Sequence, residues 1–191
     1  MRCVALGVLL LCPFVPTAHA LETQGYRQNL DPQRSVFAFR IAKVFGDAVG
    51  GEFTDAEGHL LRNALGEPKV VIELATNSID VSSSRMLSRV ARSGAFFGAA
   101  QFPSIVFESV WHSPDVFLTG GSVQGDVTIR GIKGRETFRI TPAKCARPGL
   151  DCDVEAKGFV NRKTYGIGSD SRILAPEVEL TLKVRFKPTS S

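Results

Sequence analysis

Residues 177–187 read Glu-Val-Glu-Leu-Thr-Leu-Lys-Val-Arg-Phe-Lys. Apolar side chains occupy every second position of this stretch, and charged or hydroxylated side chains stand between them. Alternation with a period of two predicts an antiparallel strand with one face on a core and the other in water. Other stretches that alternate in the same way must share that interior, which is either packed or hollow.

The same alternation recurs along most of the chain from Ser35 onward. It is found in residues 35–41, 70–75, 105–111, 123–129, 137–140 and 154–160. Many short strands separated by turns predict an all-β fold of antiparallel strands. Such a sheet either forms two packed layers or closes on itself. At about eight strands, a closed sheet has an interior that is filled or holds one ligand.

Local signals refine this picture at a few positions. The pair Glu57-Gly58 is typical of a turn, and Phe117-Leu118 is expected to open a further strand. His59 and His112 lie beside turn signals, so both are expected to be exposed residues at loop edges.

The segment 82–92 has helical rather than strand character. Serines at 82–84 offer N-caps, and Met86, Leu87 and Val90 have helical spacing. This pattern predicts one short amphipathic helix. Its Met and Leu are expected to pack as a lid on the core. Its arginines are expected to be solvated, with a phosphate or a lipid headgroup as the alternative partner.

The first twenty residues predict a secretory signal peptide. Arg2 supplies a short positive start, the next residues are largely apolar, and residues 17–20 end in an Ala-x-Ala cleavage pattern. The apolar part is too short and too interrupted by proline to be a permanent membrane span. Cys12 follows a leucine, whereas a lipoprotein signal requires a small residue there. We therefore expect a soluble exported protein that is cleaved after Ala20.

Composition and charge indicate one globular domain over residues 21–191. The formal net charge is +4, and it falls by one when Arg2 is removed. The basic residues are spread out and form no stripe with stacking aromatics, which argues against nucleic-acid binding. No linker is long enough to separate domains.

Cleavage of the signal peptide leaves two cysteines, Cys145 and Cys152. They flank the turn pair Pro148-Gly149. In an oxidising compartment this arrangement predicts a hairpin disulfide. A redox-active pair is the alternative, although the spacing is wider than Cys-x-x-Cys.

A search for catalytic patterns is negative. The histidines belong to no metal-ligand spacing, and there is no nucleophile elbow, P-loop or dinucleotide fingerprint. The sequence thus predicts no catalytic residues, no metal and no cofactor, and the protein is not expected to be an enzyme. A carboxylate-pair hydrolase remains an alternative, because scattered acids cannot be paired from sequence.

Five segments resemble motifs of the YceI family of bacterial periplasmic proteins, and they occur in the family's order. The segments are residues 30–36 (Leu-Asp-Pro-Gln-Arg-Ser-Val), 51–53 (Gly-Glu-Phe), 102–109 (Phe-Pro-Ser-Ile-Val-Phe-Glu-Ser), 125–133 (Gly-Asp-Val-Thr-Ile-Arg-Gly-Ile-Lys) and 161–166 (Asn-Arg-Lys-Thr-Tyr-Gly). The sequence departs from the family at three points. Residues 41–43 lack a histidine, Arg130 stands where histidine is common, and Thr164 stands where an acid is common.

The resemblance implies a periplasmic, lipocalin-like antiparallel barrel of eight strands with a helix near one end. It also implies a long apolar pore that holds a polyisoprenoid chain, such as a quinone, its precursor or a polyprenyl phosphate, for transport or storage. The alternative is a ligand-free, stress-related structural or interaction protein on the same barrel. An enzyme acting on a bound lipid comes third. The oligomeric state stays open, with a homodimer among the candidates.

Alternation selects the residues expected to line the interior and contact a ligand. These are Phe37, Phe39, Phe53, Ile72, Phe107, Phe138, Leu180 and Val184. A cluster of three further aromatic residues is expected to close one end, namely Phe96, Phe97 and Phe102.

Overall fold

The computed structural model describes residues 26–81 and 84–188, so the predicted signal peptide, residues 1–20, falls outside it. In the described part of the chain, eleven strands form one antiparallel sheet. They are β1 (Arg27–Asn29), β2 (Val36–Lys43), β3 (Val49–Phe53), β4 (Ala56–Arg62), β5 (Pro68–Ala75), β6 (Ile79–Asp80), β7 (Ser104–Ser109), β8 (Gly121–Ile129), β9 (Ile132–Ile140), β10 (Val154–Asn161) and β11 (Leu174–Val184). The α-helices are α1 (Arg85–Arg92) and α2 (Val116–Thr119), and short 3-10 turns cover Pro32–Arg34 and Thr76–Ser78.

The prediction of an antiparallel all-β barrel is confirmed, although the strand number differs from about eight. The additional strands include β1 and β6, which contain three and two residues. Strands this short are too brief to show a period of two, so the sequence pattern could not reveal them. The predicted single helix is α1, and α2 adds one helical turn.

Most of the alternating stretch 177–187 lies in β11, which stands between β10 and β2. Its register pairs Val184 with Val154 of β10 and Leu182 with Phe37 of β2. In the strand order β1-β4-β5-β7-β8-β9-β10-β11-β2-β3-β6, β1 forms one edge of the sheet. Leu30, directly after β1, forms a bridge with Phe186, two residues beyond the end of β11. The sheet therefore curls around its apolar face.

The barrel has two ends that differ in construction. We call one the α1 end, where the β8–β9 turn and the β10–β11 loop meet the segment that follows α1. There the amide of Gly168 donates to the Ala95 carbonyl oxygen at 2.8 Å. We call the other the disulfide end, where the Cys145–Cys152 hairpin meets α2 and the end of β11. There the amide of Phe186 donates to the Gly149 carbonyl oxygen at 2.8 Å.

Helix α1 begins where the serines predicted it, but its apolar residues are not a lid. The Ser84 hydroxyl accepts hydrogen bonds from the amides of Met86 and Leu87, so Ser84 is the N-cap. Met86 is 65% exposed and Leu87 is 38% exposed, so the predicted packing of these side chains on the core is wrong. The buried residue is Ser88, whose hydroxyl accepts from the Val81 amide at 2.8 Å. Helical spacing identifies which residues share a face, and here a small polar residue packs inward.

Three local predictions were wrong, namely those for Glu57-Gly58, for His59 and for Phe117-Leu118. The predicted turn at Glu57-Gly58 lies inside β4, where a Cβ on Gly58 would overlap the Val71 carbonyl oxygen. Gly58 thus permits close approach of two strands rather than a turn. His59 also lies within β4, partly buried, and its Nδ1 is 3.1 Å from the Arg27 guanidinium. Phe117 is buried in α2, and the following strand begins only at Gly121.

The predicted disulfide between Cys145 and Cys152 is present. Inside the loop it closes, the Arg147 guanidinium donates to both carboxylate oxygens of Asp151, at 2.9 and 2.8 Å. Arg185 of the barrel wall donates to the Leu150 carbonyl oxygen at 2.7 Å. The hairpin is therefore attached to the barrel as well as closed on itself.

Candidate ligand-binding cavity

The inward faces of the strands enclose an apolar cavity of about 70 Å³ toward the α1 end. We call it the upper cavity. Its wall includes eight of the residues predicted from alternation or from the aromatic cluster: Phe37, Phe39, Phe53, Ile72, Phe97, Phe107, Phe138 and Leu180. The sequence analysis did not select other wall residues, among them Ile41, Ile105, Val127, Ile129, Val160, Ile167, Val178 and Leu182. Four of these, Ile41, Ile105, Val178 and Leu182, lie on the same inward faces as selected residues of β2, β7 and β11. Val127, Ile129 and Val160 lie on the alternating strands β8 and β10, so periodicity contained the signal for all but Ile167.

A series of aromatic rings runs along one side of the upper cavity. The rings of Phe39 and Phe53 are 5.9 Å apart, and Phe53 meets Phe97 edge-on at 5.8 Å. Such edge-to-face contacts add to the stabilisation from burial alone. Phe97 lies in residues 93–103, between α1 and β7, which we call the covering segment. The series of rings therefore connects the barrel interior to this segment at the α1 end.

A pair of rings separates the upper cavity from a second one. Phe107 and Phe138 meet edge-on with their centroids 5.0 Å apart, and both residues line both cavities. Each ring lies over a glycine of a neighbouring strand. A Cβ on Gly125 would overlap Phe107, and a Cβ on Gly158 would lie 2.7 Å from Phe138. The two glycines thus leave space for the ring pair of Phe107 and Phe138, which we call the partition.

The second cavity, which we call the lower cavity, measures about 40 Å³ and lies toward the disulfide end. Val184, which the sequence analysis placed in the wall, lines this cavity. Phe117 of α2 and Phe186 also line it. The interior of the barrel is therefore two apolar spaces in series rather than one uninterrupted pore.

His112 lines the lower cavity, which corrects the prediction of an exposed loop-edge residue. Its ring meets Phe117 edge-on at 5.1 Å, and its Nδ1 lies 3.1 Å from the Ser113 carbonyl oxygen. Because a carbonyl oxygen only accepts, Nδ1 carries the proton. Nε2 is buried and has no hydrogen-bond partner among the described residues. Burial lowers the pKa of His112 and outweighs the Ser113 hydrogen bond, which raises it.

Two members of the predicted aromatic cluster lie outside both cavities. Phe96 packs against Gly168 of the β10–β11 loop. The Phe102 ring lies 5.3 Å from the guanidinium carbon of Arg130. Only Phe97 of the three reaches the cavity wall. The other two attach the covering segment to neighbouring loops.

Arg130, one of the departures from the family pattern, holds the covering segment in place. It lies at the β8–β9 turn with a positive φ of 52°. Its guanidinium donates to the carbonyl oxygen of Gly94 at 2.8 Å and also to that of Phe96. Thr164, a second departure, is exposed on the β10–β11 loop. Neither residue is in the wall of either cavity.

Arg162 organises the β10–β11 loop from inside. It is 0% exposed, and its five N–H donors all reach carbonyl oxygens of the loop or of the start of β11. The acceptors are Ile167, Gly168, Ser171, Leu174 and Ala175. Nearby, the buried Tyr165 hydroxyl donates to Glu136 at 2.6 Å, and burial raises its pKa. The motif at residues 161–166 thus closes the α1 end.

Metal-ligand groups and membrane-spanning helices are both absent from residues 26–81 and 84–188. In these ranges no group of His, Cys, Asp or Glu side chains is arranged to hold a metal ion. The helices in the same ranges are also too short or too polar to cross a membrane.

A curled antiparallel sheet around an apolar interior defines a lipocalin-like β-barrel protein. Within that class, the chain belongs to the YceI-like domain family, which it matches over residues 28–186. Curated relatives include a UPF0312 protein of Yersinia pestis (strain Pestoides F), 28% identical over 192 residues and covering 95% of this chain and 93% of that protein. A UPF0312 protein of Staphylococcus aureus (strain N315) is 27% identical over 170 residues, which cover 85% of this chain and 94% of that protein.

Solved structures share the fold at low sequence identity. Burkholderia cenocepacia BcnA superposes with a TM-score of 0.66 at 18% identity, over 81% of this chain and 98% of BcnA. A polyisoprenoid binding domain from Saccharophagus degradans, implicated in plant cell wall breakdown, gives a TM-score of 0.63 at 11% identity. This match covers 84% of this chain and 98% of that domain.

Proposed function

We propose that the protein binds a polyisoprenoid lipid chain inside the barrel and carries or stores it in the periplasm. The observation that carries the proposal is the apolar wall, which continues from Phe97 at the α1 end to Phe186 at the disulfide end. The polyisoprenoid binding domain of Saccharophagus degradans supports it, because that domain has the same fold. The candidate ligands are a quinone, its precursor or a polyprenyl phosphate.

An apolar wall suits such a ligand energetically. Burying one five-carbon isoprene unit is worth about 4 kcal/mol of gross transfer free energy, at roughly 0.8 kcal/mol per buried carbon. A chain of several units can therefore be held without polar contacts along its length. The headgroup then needs little recognition from the barrel interior.

Entry of such a chain requires side chains to move. Cavities of about 70 and 40 Å³ are much smaller than a long prenyl chain. Rotation of the Phe107 and Phe138 rings would join the two spaces into one pore. In this proposal the ring pair is the movable partition, and the strands around it stay in place.

Periplasmic residence is part of the proposal. The signal-peptide pattern of residues 1–20 supports it, and so does the Cys145–Cys152 disulfide, because disulfides persist in oxidising compartments. The intact mass of protein from the periplasm should correspond to a chain that begins at Leu21. A mass that retains residues 1–20 would contradict export with cleavage.

The decisive experiment is native mass spectrometry of protein purified from the periplasm without detergent, followed by organic extraction. The proposal expects a discrete additional mass that extracts as a prenyl lipid. Leu180→Trp, which fills the upper cavity, should lose that mass. Ile132→Trp on the exposed side of β9 is the matched control and should keep it. Bare protein that also takes up neither ubiquinone nor polyprenyl phosphate would overturn the proposal.

The small cavity volume favours a second candidate, a ligand-free interaction protein on the same barrel. In that case the partition formed by Phe107 and Phe138 is a permanent part of a filled core. The same experiment separates the two functions, since a filled barrel stays bare when lipid is offered.

A further inference from the structure

Helix α1 presents its apolar residues to solvent, which is unusual for a short helix on a barrel. Met86 and Val90 are four residues apart and therefore lie on one face. Met86 is 65% exposed and Val90 is 38% exposed. Ser88, on the opposite side, is buried against β6 and donates to the Asp80 carboxylate at 3.0 Å. The inward attachment uses the small side chains of Ser88 and Ala91, whereas the larger apolar side chains Met86 and Val90 face outward.

Basic side chains flank this apolar face. Arg85 and Arg89 are also four residues apart, so they form a second row beside Met86 and Val90. Both are exposed, and neither makes an ion pair in the described part of the chain. Residues 81–107 contain three arginines and no Asp or Glu. The adjoining acid is Asp80, which contacts Ser88 on the inward side of α1 and forms no ion pair with either arginine.

An apolar row beside a basic row is the pattern of a helix that lies in the interface of an anionic membrane. The apolar side chains enter the boundary between headgroups and acyl chains, and the arginines meet lipid phosphates. Charge complementarity thus selects an anionic phospholipid surface as the occupant of this face. A core-packing helix would instead turn the same Met and Val inward.

The same helix is connected to the upper cavity. The amide of Phe97 donates to the carbonyl oxygen of Ala91 in α1 at 3.0 Å. The Phe97 ring lines the cavity and meets Phe53. A membrane bound by α1 would therefore lie beside the aromatic residue that closes the α1 end of the interior.

From these contacts we infer that the outward face of α1 (Arg85, Met86, Arg89 and Val90) docks the protein on an anionic phospholipid bilayer. Docking places the α1 end of the barrel against the membrane, from which the ligand of the proposed function would enter past Phe97. This inference rests on the proposed function for its purpose, although the docking itself can be measured without a ligand.

The test is co-sedimentation of the full mature protein with phosphatidylcholine vesicles, with and without phosphatidylglycerol. Binding is expected only with phosphatidylglycerol, and added salt should weaken it. Arg85→Gln/Arg89→Gln should reduce partitioning roughly thirtyfold, at about 1 kcal/mol for each arginine at the surface. Met86→Ser should reduce it several-fold. The matched control Arg34→Gln/Arg139→Gln removes the same charge at exposed sites elsewhere and should bind as the wild type.

The outcomes separate the docking from the proposed function. Equal binding to both vesicle types, or full binding by the α1 variant, would overturn the docking inference. A lack of binding to either vesicle would also overturn it and leave a protein as the partner of this face. Prenyl lipid supplied without vesicles should load the α1 variant normally. If the wild type binds anionic vesicles but never loads prenyl lipid, the docking stands and the proposed function fails.

Discussion

The two ends of the barrel are closed by different kinds of interaction. At the disulfide end, a covalent bond joins Cys145 to Cys152, and Arg185 connects that hairpin to the wall through Asp153 and Leu150. At the α1 end, closure comes from the ring of Phe97 and from hydrogen bonds between arginine side chains and loop carbonyls. The hairpin at the disulfide end stays closed on itself even in the unfolded chain. The segment at the α1 end is held entirely by noncovalent contacts that local motion can break.

This difference indicates which end of the interior is able to open. Moving the disulfide hairpin away from the barrel breaks the Arg185 contacts and exposes Phe186, which is buried beneath it. Displacing Phe97 with its segment requires the loss of its ring contact with Phe53 and of its amide hydrogen bond to α1. It also breaks the hydrogen bonds that Arg130 and Gly168 donate to the carbonyl oxygens of residues 94–96. Local opening free energies vary widely within one fold, and segments with few buried contacts open first.

The largest expected effect concerns the α1 end. Arg162→Met should lower the free energy of unfolding by about 4 kcal/mol, because it leaves the buried carbonyls of Ile167 and Gly168 and three part-buried ones without donors. Urea denaturation monitored by circular dichroism measures the change. The control Arg172→Met, exposed in the same loop, should change it by less than about 0.5 kcal/mol. Equal effects of the two variants would show that the loop does not depend on the buried guanidinium.

A somewhat smaller effect concerns the partition between the ends. Phe138→Ala should destabilise the protein by about 3 kcal/mol through loss of buried area and creation of a cavity. It should also join the two cavities, so that the variant takes up longer prenyl chains than the wild type. Phe159→Ala, on the exposed face of neighbouring β10, is the control for loss of an aromatic ring. An unchanged chain-length preference would contradict the role of Phe138 as a partition.

The disulfide end is tested by replacing both cysteines. Cys145→Ser/Cys152→Ser should lower the free energy of unfolding by roughly 2.5 kcal/mol, the chain-entropy value for so short a loop. Lipid uptake should persist under conditions where the variant stays folded, because entry is assigned to the other end. Folded variant that no longer takes up lipid would reverse the assignment of the two ends.

The smallest effect is a pH dependence at the disulfide end. The pKa of His112 in the folded protein lies below its ordinary value of 6.5, chiefly because of burial. Nearby Arg62 lowers it further and Glu67 raises it. The unfolded chain therefore binds more protons, and stability is lost as the pH falls through about 6.5.

The matching variant is His112→Phe, which keeps a ring against Phe117 and removes the titration. It should lose less stability than the wild type between about pH 7.5 and about pH 5. Chemical denaturation at the two pH values measures this difference. Parallel losses in the two proteins would show that other groups dominate the pH dependence.

Periodicity predicted the barrel well because a strand with one buried face must alternate. The alternating stretch forms β11, and its inward residues Leu180 and Leu182 line the upper cavity. Periodicity could not place the partition, because alternation identifies inward residues without saying which ones meet across the interior. The rings of Phe107 and Phe138 meet because Gly125 and Gly158 leave space on neighbouring strands.

The errors in the candidate site came from features that depend on distant packing. The segment of α1 revealed its Ser cap and its helical spacing, but the inward face was decided by the Ser88 contacts with β6. The position of His112 beside a turn predicted exposure, whereas α2 folds over it through Phe117. In both cases the orientation of the side chain is determined by a neighbouring element, β6 or α2. That element lies outside the short stretch of sequence from which the prediction was made.

Residues near the two ends of the chain meet where the barrel closes, so the barrel cannot be completed until almost the whole chain has been made. The side chain of Gln28 donates to the Lys187 carbonyl oxygen across 159 residues of sequence, beside the bridge between Leu30 and Phe186. Contacts this distant are slow to form because a long loop must close first. During synthesis or translocation from the N-terminus, the β1 edge must wait for the last strand to arrive. Until the last strand is in place, the apolar face of the incomplete sheet stays exposed. Chaperones can bind that face throughout this period.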